Sequence, residues 1–301
     1  MNTDVYNGGE FSYLIPLLLS EKSSGHVHSV FANGFNVLMG DSLIFIGNKK
    51  SGRLPFGIHL QEDILNVVSL VKNREPVYWD KDASLLQFQH MSISIKKGNS
   101  FKNEVVPIKS NIDLQIGFER LVSLLSTIKQ PTGLDIDISD FIKKFDYVNY
   151  SDYSITENSI INLIHVAMSD DLYLIEKTLR YFLGRGKGLT PSGDDLLVGF
   201  LAFNSISNFV SSFFYNQLSE LIENESITTD VSREYIRYAL RHEFSSTVTA
   251  MVNIIGDSNE RVNDNFHEIV DSLIKVGHSS GLDTLFGIFI GLLAFKNPIE
   301  Q

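Results

Sequence analysis

The chain has 301 residues, 43% of them apolar and 20% charged, which is enough for a large globular core and excludes a disordered or collagen-like polymer. A net charge of −11 argues against a nucleic-acid binder, because neutralising phosphates needs clustered Lys and Arg. The absence of Cys excludes disulfides, thiolate catalysis and Cys-ligated zinc, and fits a reducing cytoplasm.

Near the start, Tyr13 to Leu19 is apolar but interrupted by Pro16 and preceded by Asp4 and Glu10 rather than basic residues. We therefore expect no secretory signal. The run from Leu285 to Phe295 is too short to cross a bilayer, so we expect no membrane association. Val27 to Phe31, Phe35 to Met39 and Leu43 to Ile46 are short β-prone runs. Asn33-Gly34 and Gly40-Asp41 separate them, and these dipeptides suit tight hairpins, so an antiparallel meander is predicted. Gln61 to Lys72 has helical spacing, and residues 84–95 read as a further strand.

The polar stretch Lys96 to Asn111 reads as a junction between a strand-rich part, 1–110, and a helical part, 111–301. Helices are predicted at Leu114 to Ile128, Glu157 to Met168, Asp170 to Phe182, Ser192 to Asn208, Ser232 to Ile255, Asn263 to Lys275 and Ser280 to Phe295. Strands followed by helices, without alternation, give an α+β fold.

One phrase, Ser-Gly-x-Asp-x-Leu-x-Gly, occurs twice, at Ser192 to Gly199 and at Ser280 to Gly287. The first copy follows Gly184, Gly186 and Gly188, whose freedom to adopt positive φ lets neighbouring N–H groups converge on an anion. Thr190 suits an N-cap and Pro191 the first helical position. A helix start there favours phosphate or carboxylate, with Arg185 and Lys187 adding charge. It is not a P-loop, since Gly188 rather than Ser or Thr follows Lys187. A plainer reading is open beside this one: a glycine C-cap, a turn and a capped helix, with Ser192-x-x-Asp195 and Ser280-x-x-Asp283 as capping boxes. The plainer reading leaves Gly193 and Gly281, within first turns, and the adjacent Asp194 and Asp195 without a purpose.

The second copy adds His278, Ser279 and Ser280. His278 suits a donor to phosphate or an acid near neutral pH, or a cap on the preceding helix. Asp195, Gly199 and Ala202 share a helix face, as do Asp283, Gly287, Gly291 and Ala294. If these small faces pack together, Asp195 and Asp283 begin side by side. His26 and His28 on a strand would point to one face, which suits phosphate or metal, although ordinary surface or core histidines are the commoner explanation of such a pair. Ser245, Ser246 and Thr247 lead a further helix, lining a pocket or capping it.

The order GHVHSVF, GRGKGLTPSGDDLLVGFL, FSSTVTAM and GHSSGLDTLFG resembles the AllH family across residues 25–295. The resemblance rests on His26, His28, Gly186, Gly188, Thr190, Pro191, Ser192, Gly193, Asp194, Asp195, His278, Ser279, Ser280, Gly281, Asp283 and Thr284. It departs at Lys187, where the family usually has Pro, and at Ser245-Ser246-Thr247, where it usually begins Thr-Ser. What it implies is a subunit of oxamate carbamoyltransferase, using carbamoyl phosphate beside FdrA-type (AllF) and AllG-like subunits in allantoin and purine degradation. On that reading Gly186, Lys187, Gly188, Thr190, Ser192, Gly193, Ser279, Ser280, Gly281, His26 and His28 bind phosphate or substrate. His278 acts as acid or oxyanion donor, and Asp194, Asp195 or Asp283 orients the acceptor amide or holds a divalent cation, with no other cofactor expected. Two rival classes stay open: a metal-dependent hydrolase using His26, His28, Asp194, Asp195 and Asp283, and a non-catalytic partner that senses a metabolite.

Overall fold

The computed structural model describes residues 4–146, 153–257 and 260–296. The chain forms two compact units, residues 1–103 and 104–301.

The first unit contains β1 (Asp4–Asn7), β2 (Glu10–Ser12), α1 (Ile15–Ser20), β3 (Ser24–Phe31), β4 (Gly34–Met39), β5 (Ser42–Gly47), β6 (Gly57–His59), α2 (Ile64–Ser69), β7 (Pro76–Asp80), β8 (Leu85–Gln87), β9 (Met91–Ser94) and β10 (Asn99–Phe101). All ten strands join one sheet in the order β1-β9-β8-β7-β3-β4-β5-β6-β2-β10. The expected hairpins are present: β3 pairs antiparallel with β4, and β4 with β5, with Val37 opposite both Val27 and Ile44. Gly34 and Gly40 carry the positive φ that these turns require. The sheet is mixed rather than a simple meander, because β1–β9, β2–β10 and β5–β6 pair in parallel. Residues 84–95 form two antiparallel strands, β8 and β9, instead of one. Pro16 begins α1 rather than breaking it, since a first-turn residue needs no N–H partner. Ile15 and Leu19 of that helix join the sheet's buried face of Val27, Val37, Ile44 and Ile46.

The second unit is helical: α3 (Asn111–Leu125), α4 (Ile138–Asp146), α5 (Ile155–Val166), α6 (Leu172–Phe182), α7 (Ser192–Ser207), α8 (Ser212–Asn224), α9 (Asp230–Ala239), α10 (Ser246–Ile255), α11 (Glu260–Ile274) and α12 (Ser280–Lys296). The helix expected over Ser232 to Ile255 is broken into α9 and α10, with His242 at φ +60° between them. Ser245 then caps α10 by accepting the Val248 N–H, and its hydroxyl lies 2.9 Å from that of Thr247. The hydroxyl cluster there is a helix cap.

α7 and α12 are apolar on nearly every face, as helices at the centre of a core must be. They pack through their glycines. A Cβ on Gly199 would lie well inside 3 Å of the Thr284 carbonyl, and one on Gly287 equally close to the Leu196 carbonyl. Farther along, Gly291 faces Phe203 Cβ at 3.0 Å. Absence of side chains thus brings the two backbones together. Among the described residues no helix is long and apolar enough to cross a membrane.

Candidate functional site

The packing of α7 on α12 sets their N-termini together. In each copy of the doubled phrase the first-turn glycine lets the preceding helix approach: a Cβ on Gly193 would strike the Phe182 carbonyl, and one on Gly281 the Leu273 carbonyl. The Gly193 N–H reaches the Arg185 carbonyl at 2.8 Å, and the Gly281 N–H the Val276 carbonyl at 3.0 Å. Close backbone packing is therefore the physical reason for these two glycines.

The expected capping boxes do not form. α7 takes Pro191 as its N-cap with no side-chain bond, and Ser192 is already helical. Proline there leaves Thr190 outside the cap position, and its hydroxyl instead lies 3.0 Å from Ser280 Oγ. The serines serve the opposite copy. The hydroxyls of Ser280 and Thr190 face Asp195 and favour its charged form, while those of Ser192 and Ser279 do the same for Asp283. Ser192 and Ser280, like Asp195 and Asp283, occupy equivalent places in the two phrases. Each carboxylate thus faces the serine of the other copy.

The three aspartates differ in what they do. Asp194 is fully buried, and its oxygens are engaged: Oδ1 accepts the Gly184 N–H at 2.9 Å, and Oδ2 accepts from Ser232 at 2.7 Å and from Thr228. It ties the glycine-rich turn to the start of α9. Burial raises its pKa against those three donors. Asp283 is 1% exposed and accepts the Gly133 N–H through Oδ1 at 2.7 Å. Burial raises its pKa too, with Gly133, Ser192 and Ser279 opposing. Asp195 is raised furthest: burial dominates, the Asp283 and Asp194 charges add to it, and the hydroxyls of Ser280 and Thr190 only partly offset it. Tyr235 of α9 feels the Asp195 charge as well. Oδ2 of Asp195 and Oδ2 of Asp283 are both buried and complete no hydrogen bond of good geometry.

A proton binds Asp195 more tightly in the folded chain than in the unfolded chain. Its contribution to stability is therefore greatest below the ordinary carboxylate value and is lost as pH rises through the raised one. Asp195→Asn removes that loss, so its melting temperature should gain on the parent more at about pH 8 than at about pH 5. An equal shift at both values would contradict the assignment.

Gly133, unmarked by the sequence reading, closes the cluster. A Cβ here would meet Ser192 Oγ, Ser279 Oγ at 2.6 Å and Asp283 Oδ2 at 2.9 Å. Its turn is fixed by Thr132, whose hydroxyl accepts from Leu134 and Ile136 N–H at 3.3 and 3.1 Å.

The remaining candidates are placed as follows. Gly184, Gly186 and Gly188 all have positive φ, at +71°, +122° and +95°. Gly186, Lys187 and Gly188 are exposed. Arg185 turns away, its guanidinium 3.8 Å over the Tyr181 ring and its Nε donating to the Tyr181 carbonyl at 2.6 Å. His278 is exposed on the turn between α11 and α12. His26 and His28 belong to the first unit. β3 shifts register between Val27 and Ser29, so a bulge at His28 interrupts the alternation that would put both on one face. Among the described residues no group of three or more His, Asp or Glu is placed to hold a metal ion.

Comparison with protein families matches residues 182–292 to the oxamate carbamoyltransferase subunit AllH, and residues 7–100 to the AllH family N-terminal domain. The chain belongs to the AllH family. The match at 182–292 runs from the end of α6 through most of α12, and so contains Asp194, Asp195 and Asp283 but not Gly133. The AllH description names a subunit, so further subunits are implied. No solved structure matches the chain.

Proposed function

We propose that this AllH-family chain is a subunit of a cytoplasmic carbamoyltransferase that joins carbamoyl phosphate to oxamate or a similar small amide. FdrA-type (AllF) and AllG-like subunits would complete the enzyme, in allantoin and purine breakdown. The observation that carries this reading is the meeting of the two family motifs, which sets half-buried Asp195 near buried Asp283, next to an exposed glycine-rich turn.

In the transfer, the acceptor amide nitrogen attacks the carbamoyl carbon. A C–N bond forms, the C–O bond to phosphate breaks, and the amide proton ends on the departing phosphate. Negative charge grows on the carbamoyl oxygen and on phosphate, and fixed N–H donors stabilise it. Buried carboxylates repel phosphate, which therefore belongs on the exposed side, at Gly186, Lys187 and Gly188 beside the Thr190 hydroxyl; Ser192 and Gly193 are buried, and the Gly193 N–H is taken by the Arg185 carbonyl. Ser279 and Ser280 face it from the second copy, and His278 serves as acid or oxyanion donor. Asp195 and Asp283 attend to the amide chemistry.

Gly188→Val tests this reading. Nothing lies within 4 Å of a Cβ at Gly188, so the substitution harms only the backbone, forcing a β-branched residue out of φ +95°. The fold and its melting temperature should survive, while turnover by the co-expressed complex and the thermal shift produced by inorganic phosphate are abolished. Unchanged activity refutes the proposal.

A further inference from the structure

We propose that the connection from α8 to α9 is a strap that holds the glycine-rich turn in its anion-receiving shape, with Thr228 and Asp194 as positioning residues. This rests on the phosphate site of the carbamoyltransferase reading and goes beyond it in naming what fixes that site.

A glycine-rich turn has the most conformational freedom to lose, so a ligand that must order it binds weakly unless other contacts order it first. Residues 225–229 join α8 to α9 and reach both ends of the turn. At the first end, Gly184 has φ +71°, and a Cβ on it would lie 2.3 Å from the Ile227 carbonyl. Only glycine lets the strap pass there. The Gly184 N–H donates to Asp194 Oδ1 at 2.9 Å, while Oδ2 of the same carboxyl accepts from the Thr228 hydroxyl and, at 2.7 Å, from Ser232. Asp194 is thus a bridge, with the turn on one oxygen and the strap on the other. It is fully buried, and it acts through the turn rather than on substrate. At the far end, the Thr229 hydroxyl donates to the Leu189 carbonyl and accepts the Ser232 N–H at 3.0 Å as the cap of α9. A hydroxyl can do both at once. The strap is itself anchored, since Glu225 accepts both terminal nitrogens of Arg180 on α6, at 2.8 and 2.6 Å. Three consecutive residues, Ile227, Thr228 and Thr229, therefore hold Gly184 and Leu189. Between those two points Gly186, Lys187 and Gly188 stand exposed.

Thr228→Val is the primary test, because it removes the strap's hydroxyl from Asp194 at nearly the same shape and Thr228 caps no helix. Hydrogen exchange on the full-length chain reads the turn directly. Amides of residues 184–190 should exchange about tenfold faster than in the parent, with those of α12 unchanged. In the co-expressed complex KM for carbamoyl phosphate should rise about tenfold while kcat changes less than about twofold, the pattern of lost preorganisation. Thr228→Ser, which keeps the hydroxyl, should restore both values. Ser232→Ala withdraws a hydroxyl from the same oxygen and should repeat the pattern, so the test stands even if Thr228→Val does not fold. Parental exchange in 184–190, a lowered melting temperature with parental KM, or a fall in kcat alone would each overturn the proposal. Loss of turnover in Gly188→Val beside a parental KM in Thr228→Val defeats the strap alone. Parental turnover in Gly188→Val beside faster exchange in Thr228→Val defeats the phosphate site alone and leaves the strap as the element that orders the turn.

Discussion

Gly287→Val is expected to leave the helical unit unable to fold, or to melt it far below the parent. The new side chain would start on top of the Leu196 carbonyl, where no rotamer relieves the overlap, so α7 and α12 must separate along their length. Overpacking a core ordinarily costs about 1–3 kcal/mol, and an obstruction by backbone belongs at or above the upper end of that range. Against a total stability of about 5–15 kcal/mol this is a large fraction, and it corresponds to a fall on the order of 10 °C in a unit of this size. Gly199→Val meets the Thr284 carbonyl in the same way and should behave alike. Gly256→Ala is the control, because its added Cβ comes no closer than 3.8 Å to any neighbour. Soluble expression and thermal melting of the three variants decide the matter. A Gly287→Val chain that melts with the parent would mean that the two helices are not in backbone contact.

Gly133→Ala is expected to separate function from folding. Its Cβ would displace the hydroxyls of Ser192 and Ser279 and crowd Asp283 Oδ2. Serine side chains rotate readily, so the structural penalty should stay near 1 kcal/mol, a few degrees in melting temperature. The geometry of the acid pair does not survive the same rotation. A misplacement of about 1 Å in a catalytic arrangement costs on the order of a hundredfold in rate, and that loss should appear in turnover by the co-expressed complex. A variant with parental turnover would show that the Gly133 turn is a bystander.

Much of this arrangement was legible because its causes are local. Asn33-Gly34 and Gly40-Asp41 mark the hairpins, since their φ requirements are written in single residues. The doubled phrase locates two helix starts, and the periodic small residues behind them identify the faces that meet. What stayed hidden depends on distant partners or on a single backbone angle. Gly133 lies 150 residues from Asp283, and its turn sequence resembles any other Pro-Thr-Gly. The partners of Asp194, Thr228 and Ser232, lie 34 and 38 residues away. The parallel pairs β1–β9 and β2–β10 join distant segments of the first unit, which short-range alternation does not encode. The break between α9 and α10 was missed because apolar residues resume on both sides of Arg241-His242-Glu243, while His242 takes the left-handed angle. The capping boxes were misread for the opposite reason: a local rule fitted the letters, but Pro191 took the cap of α7, and Ser192 and Ser280 each stand one place inside their helices.

The exchange of serines between the two carboxylates has the form of an isologous contact, in which residue i of one subunit meets j of its mate and j meets i about a two-fold axis. Gly199 against Thr284 and Gly287 against Leu196 obey the same rule within one polypeptide. Two identical subunits would be bound to keep that axis perfect, and a perfect axis holds a lopsided ligand in two equivalent poses. A single chain is free of the constraint. Leu282 stands where the first copy has Asp194, and the Gly133 N–H reaches Asp283 without a counterpart at Asp195. The acid pair therefore has a head and a tail, and on the proposed reading a molecule with distinct ends would have one way to meet it.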